Sequence, residues 1–183
     1  VGSVDVYKRQ FYIIDGGFFH YAGDFNSQQI SFYRYMNGFL KGAGYPDSTF
    51  AGAPHNTFSW ATDLGSGVMN AYSFYLYGSP FFWFSLIFPQ SWLPYLMVPL
   101  LVLKFAAAGG GAYLYLKRYV RNWNYAVLGA CLYALSGFAV YNVFFNHFVD
   151  VVALFPYLLW SLDEVLYNHR HGLFAFFVAL NLL

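Results

Sequence analysis

Long apolar stretches alternate with short polar interruptions along this chain, and the interruptions carry most of the information. The sharpest is Ala22-Gly23-Asp24-Phe25-Asn26-Ser27-Gln28-Gln29, with five hydrogen-bonding side chains in six positions from Asp24. A lipid-facing surface cannot hold such a run, because each unsatisfied polar group there costs several kcal/mol. The stretch is therefore expected to sit in water or line a wet cavity. Asn26 or Ser27 reads as a helix cap, accepting from exposed backbone N–H groups. Beyond it Ile30, Tyr33, Asn37 and Leu40 share one helical face, with Phe32, Tyr35 and Phe39 beside them, until Gly42 and Gly44 end the pattern. An aromatic amphipathic helix carrying Arg34 and Lys41 is suited to lying in the headgroup plane.

The rest of the pattern predicts a membrane bundle. Residues 11–23 read as the outer end of a truncated first membrane helix, with a break at Asp15-Gly16-Gly17, and residues 24–91 as a large first loop holding interfacial helices. Residues 45–67 are the least hydrophobic part, with Asp47, His55, Trp60 and Asp63 as their reactive inventory. Ser79-Pro80 starts a short helix, and the apolar run 81–88 is too short to cross a bilayer, which needs about 20 residues. Three full spans follow, at Leu93–Leu116, residues 125–145 and residues 151–167, and a further one starts after Gly172 and is truncated. Between them lie a loop at 117–124, a turn at 146–150 and a turn at 168–172. Trp92, Tyr95, Tyr113 and Tyr115 bracket the first full span as an aromatic belt. Its Ala106–Ala112 patch (AAAGGGA) permits close helix approach.

Composition narrows the class. Hydrophobic residues make up 59% of the chain and charged residues 9%, against about 25% charged in soluble domains. A soluble globular protein is excluded on charge alone, and no nucleic-acid signature is present. The lone Cys131 rules out an intrachain disulfide. Asp5-Val6-Tyr7-Lys8-Arg9-Gln10 is what a commonly used sequencing-transposon end encodes in one frame, so residues 1–10 are expected to be a library-preparation scar. The formal charge of +1 then falls to zero, with seven basic and seven acidic residues left. Lys117, Arg118 and Arg121 flank one turn and Arg170 lies in another, which places both turns in the cytoplasm if spans alternate. Asp24, Asp47, Asp63, His147 and Asp150 then face outward. Arg34 and Lys41 dissent, but they belong to a long loop, where charge bias weighs less.

An ordered set of short matches carries a resemblance. It comprises Gly23-Asp24-Phe25-Asn26-Ser27-Gln28-Gln29, Trp60, Asp63-Leu64-Gly65, Asn70, Ser73-Phe74-Tyr75 and Gly78-Ser79-Pro80-Phe81. Lys104, Leu132-Tyr133-Ala134-Leu135-Ser136-Gly137-Phe138, His147-Phe148, Asp150 and Pro156 complete it. With these the chain resembles the bacterial membrane protein family YfhO, within the GT-C class of glycosyltransferases. The resemblance implies an all-α integral membrane fold, a polytopic helical bundle of GT-C type with a large first extracytoplasmic loop. It also implies an enzyme of the bacterial cytoplasmic membrane working on its outer face. Such an enzyme moves a sugar from a polyprenyl-phosphate carrier to a cell-envelope polymer such as a teichoic acid, or to a related glycoconjugate.

Candidate chemistry follows from both readings. An attacking acceptor hydroxyl must lose a proton, and a carboxylate in reach contributes roughly 10²–10⁴-fold by taking it. Asp24 matches the position of the GT-C catalytic acid; the alternative is a cap or loop acid with no chemical role. Asn26, Gln28 and Gln29 either orient the sugar or cap the helix. Trp60 and Asp63 belong to the candidate binding surface, as does His147, which is otherwise an interfacial histidine. Lys104 is the one charge deep in its span, so it either meets the carrier phosphate or pairs with a neighbouring acid or carbonyl. No cofactor and no essential metal are expected, since the Asp24-Phe25-Asn26 spacing is a weak divalent-ion pattern. The Gly109–Gly111 run lacks a following Lys-Ser/Thr and is no phosphate loop. A non-enzymatic lipid-carrier transporter or envelope scaffold is the alternative; the acidic outer loop argues against a scaffold, and the lack of internal repeats against a transporter.

Overall fold

The computed structural model describes residues 24–41, 58–59, 65–67, 71–72 and 76–182. A π-helical turn, Phe25–Ile30, runs without interruption into α1 (Ser31–Leu40). Short helix α2 (Pro80–Ser85) and a 3₁₀ turn (Gln90–Trp92) lead to α3 (Leu93–Leu116). Then come α4 (Trp123–Ala134), α5 (Gly137–Tyr141), a second 3₁₀ turn (Asn142–Phe145), α6 (Phe148–Asn168) and α7 (His171–Leu182). The one strand pairing among the described residues joins β1 (Phe58–Ser59) antiparallel to β2 (Ser66–Gly67). The protein is helical.

Among the described residues two helical stretches, Gln90–Leu116 and Trp123–Phe145, are long and apolar enough to cross a membrane. At about 1.5 Å per residue a helix of this length covers the roughly 30 Å hydrocarbon core. They are apolar all round, and most of their surface is not covered by protein. Val102, Leu128, Leu132, Leu135 and Phe138 are all exposed. A soluble monomer does not leave so much contiguous apolar surface in water, and lipid is the solvent that accepts it. Of the three full spans read from sequence, the third falls outside this class. α6 has 21 residues but carries Asp150, Asp163 and Glu164, all of them buried.

The second span is also not one continuous helix. α4 stops at Ala134, and Ser136 restarts the chain by accepting from the Ala139 amide at 3.3 Å. Asn142 Nδ2 donates to the Phe138 carbonyl at 2.8 Å. Side chains thus satisfy backbone groups that the break leaves open, as non-helical backbone within a membrane requires.

α3 and α6 run side by side in the same direction. Lys104 meets Asp150, Gly111 meets Tyr157 and Arg118 meets Glu164, so contacts recur every seven residues on each helix. That repeat is the signature of near-parallel knobs-into-holes packing. Ala108, Gly111 and Ala112 are buried in the α3 seam. Ala126, Ala130 and Ala134 form the buried stripe of α4, with Ala134 against Gly109 and Leu116 against Gly129. Small residues let these backbones approach closely.

At the opposite end from Arg118, α1 covers the first turns of α3. Tyr33, Met36 and Asn37 are buried, packed with Leu76, Phe81, Phe82, Leu93 and Met97. Asn37 Nδ2 reaches the Ser85 and Phe88 carbonyls, each at 3.4 Å, and Gln90 Nε2 donates to the Arg34 carbonyl at 2.8 Å. Lys41 donates to the Phe88 carbonyl. The amphipathic pattern of α1 is real, but its inner face is covered by protein rather than by lipid. α2 is fixed by Ser79, which accepts from the Phe82 amide at 3.2 Å, with Pro80 in the first turn.

A Cβ at Gly111 would stand 2.7 Å from the Tyr157 ring, which is itself stacked on Phe177 at 5.5 Å. Gly111→Val should therefore destabilise the bundle by about 1–3 kcal/mol, the usual range for overpacking. Gly137→Ala meets nothing within 4 Å and should leave thermal unfolding in detergent unchanged.

Candidate functional site

The site is built where α6 begins. Asn146 and His147 form the turn out of the broken span, and Asp150 follows in the first turn of α6. Lys104 comes from the middle of α3 and is fully buried. Its Nζ lies 2.5 Å from Asp150 Oδ1 and donates to Asn146 O at 3.0 Å and Asn146 Oδ1 at 3.1 Å. The ring of Phe81 covers it, with 5.6 Å from Nζ to the centroid. Asn146 thus accepts two hydrogen bonds from the ammonium, and Asp150 supplies the countercharge. Of the two roles read for Lys104, the observed geometry is the pair with a neighbouring acid and carbonyl.

The π-helical turn lies over this pair. Gln29, 1% exposed, puts its Nε2 3.1 Å from His147 Nδ1. Among the described residues its buried Oε1 has no hydrogen-bond partner. Buried polar atoms are nearly always paired, so such an orphan marks a place for water or ligand. Gln28 Nε2 donates to Asp24 Oδ1 at 3.3 Å, holding that carboxylate at the start of the turn. Asn26 lies partly buried in the same turn. The cap expected at Asn26 or Ser27 is corrected here: both sit inside the turn, and Asp24, the first described residue of the segment, is itself helical and makes no side-chain cap bond. The segment is helical already at Asp24 and wound as a π-helix from Phe25 to Ile30, so neither residue stands at a helix end. Such turns occur frequently at functional sites.

Electrostatics tie the pieces together. Burial holds His147 below the usual histidine value; Asp150 pulls it up, Lys104 pushes it further down and Asp24 pulls it up again. At neutral pH the imidazole is therefore uncharged and offers one donor and one acceptor. Tyr33 is held well above the usual tyrosine value, chiefly by burial and secondarily by the Asp150 charge, and it shares a hydrogen bond with Ser79. Its hydroxyl stays protonated.

Asp24, Gln28, Gln29 and His147 are thus gathered at one end, with Lys104 beneath them. Trp60 and Asp63 lie outside the described residues. Among the described residues no three His, Cys, Asp or Glu side chains gather as a metal site. Sequence reading left Asp150, Asn146 and Tyr33 out of the site. The available signal was the isolation of Lys104 in an apolar helix, which demands a partner, together with an acid three residues after His147.

The sequence model of the family described as "Bacterial membrane protein YfhO" matches residues 4–183. The match includes most of the segment read above as a scar. No curated protein and no solved structure matches the chain.

Removing one partner of a buried pair costs about 3–5 kcal/mol, because the other charge is left uncompensated. Lys104→Met and Asp150→Leu should each lose that much stability, whereas the double variant should recover most of it. Thermal unfolding of the four proteins in one detergent checks this, and an additive double variant removes the pair as the cause.

Proposed function

This chain belongs to the YfhO family of bacterial membrane proteins, and from that premise we propose that it is a GT-C type glycosyltransferase. It takes a sugar from a polyprenyl-phosphate carrier and passes it to a cell-envelope polymer or glycoconjugate outside the cytoplasmic membrane. One observation carries the reading. The turn bearing Asp24 is docked on the turn out of the broken span through Gln29 and His147, at the end of the bundle away from the basic turns with Arg118 and Arg170. A carboxylate, two amides, a neutral imidazole and an orphaned buried acceptor therefore converge where a carrier headgroup and an aqueous acceptor would meet.

In this mechanism the acceptor oxygen attacks the anomeric carbon while Asp24 takes its proton. The bond from the anomeric carbon to the carrier phosphate breaks, and the phosphate leaves with the electron pair. The Gln29 carbonyl accepts from a sugar hydroxyl, and Gln28 keeps the Asp24 carboxylate turned toward the acceptor. Lys104 is a positioning residue. Through Asn146 it fixes the turn that presents His147, and its charge is balanced by Asp150 rather than by the carrier. Asn26, Trp60 and Asp63 complete the proposed binding surface.

A lipid-carrier transporter is the second reading, favoured by the break between α4 and α5, since broken helices mark transporter binding sites. Its activity would not need the basicity of Asp24.

Asp24→Asn keeps shape and hydrogen bonding but removes the base. Sugar transfer in membranes should fall at least about a hundredfold with unchanged expression and insertion, and Asp63→Asn should lose much less than Asp24→Asn; equal small losses would point to a diffuse electrostatic role. Undiminished transfer by Asp24→Asn removes Asp24 as the base. Orientation is tested separately. Asp47→Cys and Ser59→Cys should react with an impermeant thiol reagent added outside intact cells, and Asn122→Cys should not; the opposite pattern inverts the proposed topology.

A further inference from the structure

The basic end of the bundle holds a cavity of about 440 Å³ lined by Arg118, Tyr119, Asp163, Tyr167 and Asn168. Its walls are held in place. Arg118 is paired with Glu164 and lies over the Trp160 ring, 5.6 Å from the centroid. Arg170 reaches the same carboxylate at 3.5 Å, and Asn168 Nδ2 donates to it at 3.1 Å. Tyr119 donates to Asp163 Oδ2 at 2.6 Å, and that bond keeps the phenol well above its usual pKa. Glu164 is thus neutralised by two arginines. Lys117 and Arg121, next to the lining residues in the chain, are exposed and have no ion pair among the described residues.

Charge bias in short loops accounts for cations in these turns. It does not account for a cavity, nor for two buried acids that hold Arg118 and Tyr119 to its wall. Asp163 is 7% exposed and spends one oxygen on Tyr119, leaving the other to accept from a hydroxyl. Tyr119, Trp123, Tyr125 and Tyr167 are exposed around this end, as expected at the headgroup level of a bilayer. The volume lies in the range of small-ligand sites, about 300–1,000 Å³.

We propose that this cavity binds the headgroup of an anionic phospholipid bearing free hydroxyls, a phosphoglycerol. Arg118 on the wall faces the phosphate, the nearby charges of Lys117, Arg121 and Arg170 attract it, and Asp163 accepts from a glycerol hydroxyl. A choline headgroup offers no hydroxyl and brings a cation to a mouth already rich in them. The site stands whether or not the opposite end transfers sugar.

Native mass spectrometry of the purified protein tests this, with phosphatidylglycerol, phosphatidic acid and phosphatidylcholine supplied at equal amounts. The wild type should retain phosphatidylglycerol above the other two. Lys117→Gln and Arg121→Gln, both on the surface, should each weaken retention about fivefold, the contribution of one cation near a membrane surface. Asp163→Asn should abolish the preference for phosphatidylglycerol over phosphatidic acid. Equal retention of phosphatidylcholine, or undiminished retention in the Lys117/Arg121 double variant, overturns the proposal. Displacement of the lipid by equimolar glycerol 3-phosphate also overturns it, because the cavity would then be a site for a free anion.

Discussion

A lysine at the centre of an apolar helix has to be neutralised, and the way this protein does so sets much of its architecture. Taking a charged group out of water costs several kcal/mol even after relaxation. Lys104 offsets that cost with Asp150 at 2.5 Å, two oxygens of Asn146 and the face of Phe81. Each partner comes from a different segment, so the requirement links α2, α3, the turn out of the broken span and α6. The seven-residue register from Lys104–Asp150 through Gly111–Tyr157 to Arg118–Glu164 extends the same alignment along the bundle. Because Asp150 is in the first turn of α6, the pair also dictates where α6 starts and therefore where His147 points.

Between the two polar ends the helices present apolar surface to their surroundings and small residues to one another. This division of labour is what a membrane imposes. Hydrophobic burial gives little reason for one apolar helix to prefer another over lipid, so close contact at alanine and glycine and a few buried polar links supply specificity. At one end those links are Lys104 with Asp150 and Gln29 with His147. At the other they are Arg118 with Glu164 and Tyr119 with Asp163. Each end also gathers polar side chains, and the chemistry proposed for them differs because their charges differ. The first combines acids, amides and a neutral imidazole over a closed ion pair. The second is a cationic mouth with a buried carboxylate on its wall.

Much of this was legible in residue order. The scarcity of charge and the recurrence of long apolar runs define a membrane protein, because no aqueous fold hides that much apolar surface. The ordered matches from Gly23-Asp24 to Pro156 identify the family, which the match over residues 4–183 shows. The 3.6-residue pattern through Ile30, Tyr33 and Asn37 gives a helix with one inward face, and the Ser79-Pro80 signal gives the start of α2. These are local properties: each depends on side chains within a turn or two, or on composition summed over a segment.

What sequence could not supply was which polar groups meet. Nothing in the order of residues says that Lys104 meets Asp150, 46 positions away, or that Gln29 lands on His147 across 118. Those choices depend on helix register, which is settled by the close approach allowed at Ala108, Gly111 and Ala112 and by where the second span breaks. The break itself read as a continuous apolar helix because the run stays apolar across it, although the Ser136 and Asn142 bonds that stabilise the break are local. The sequence by itself therefore determined solvent, family and helices. Tertiary structure decided the pairing of charges, since a buried charge is stabilised only by the group brought within a few ångströms of it.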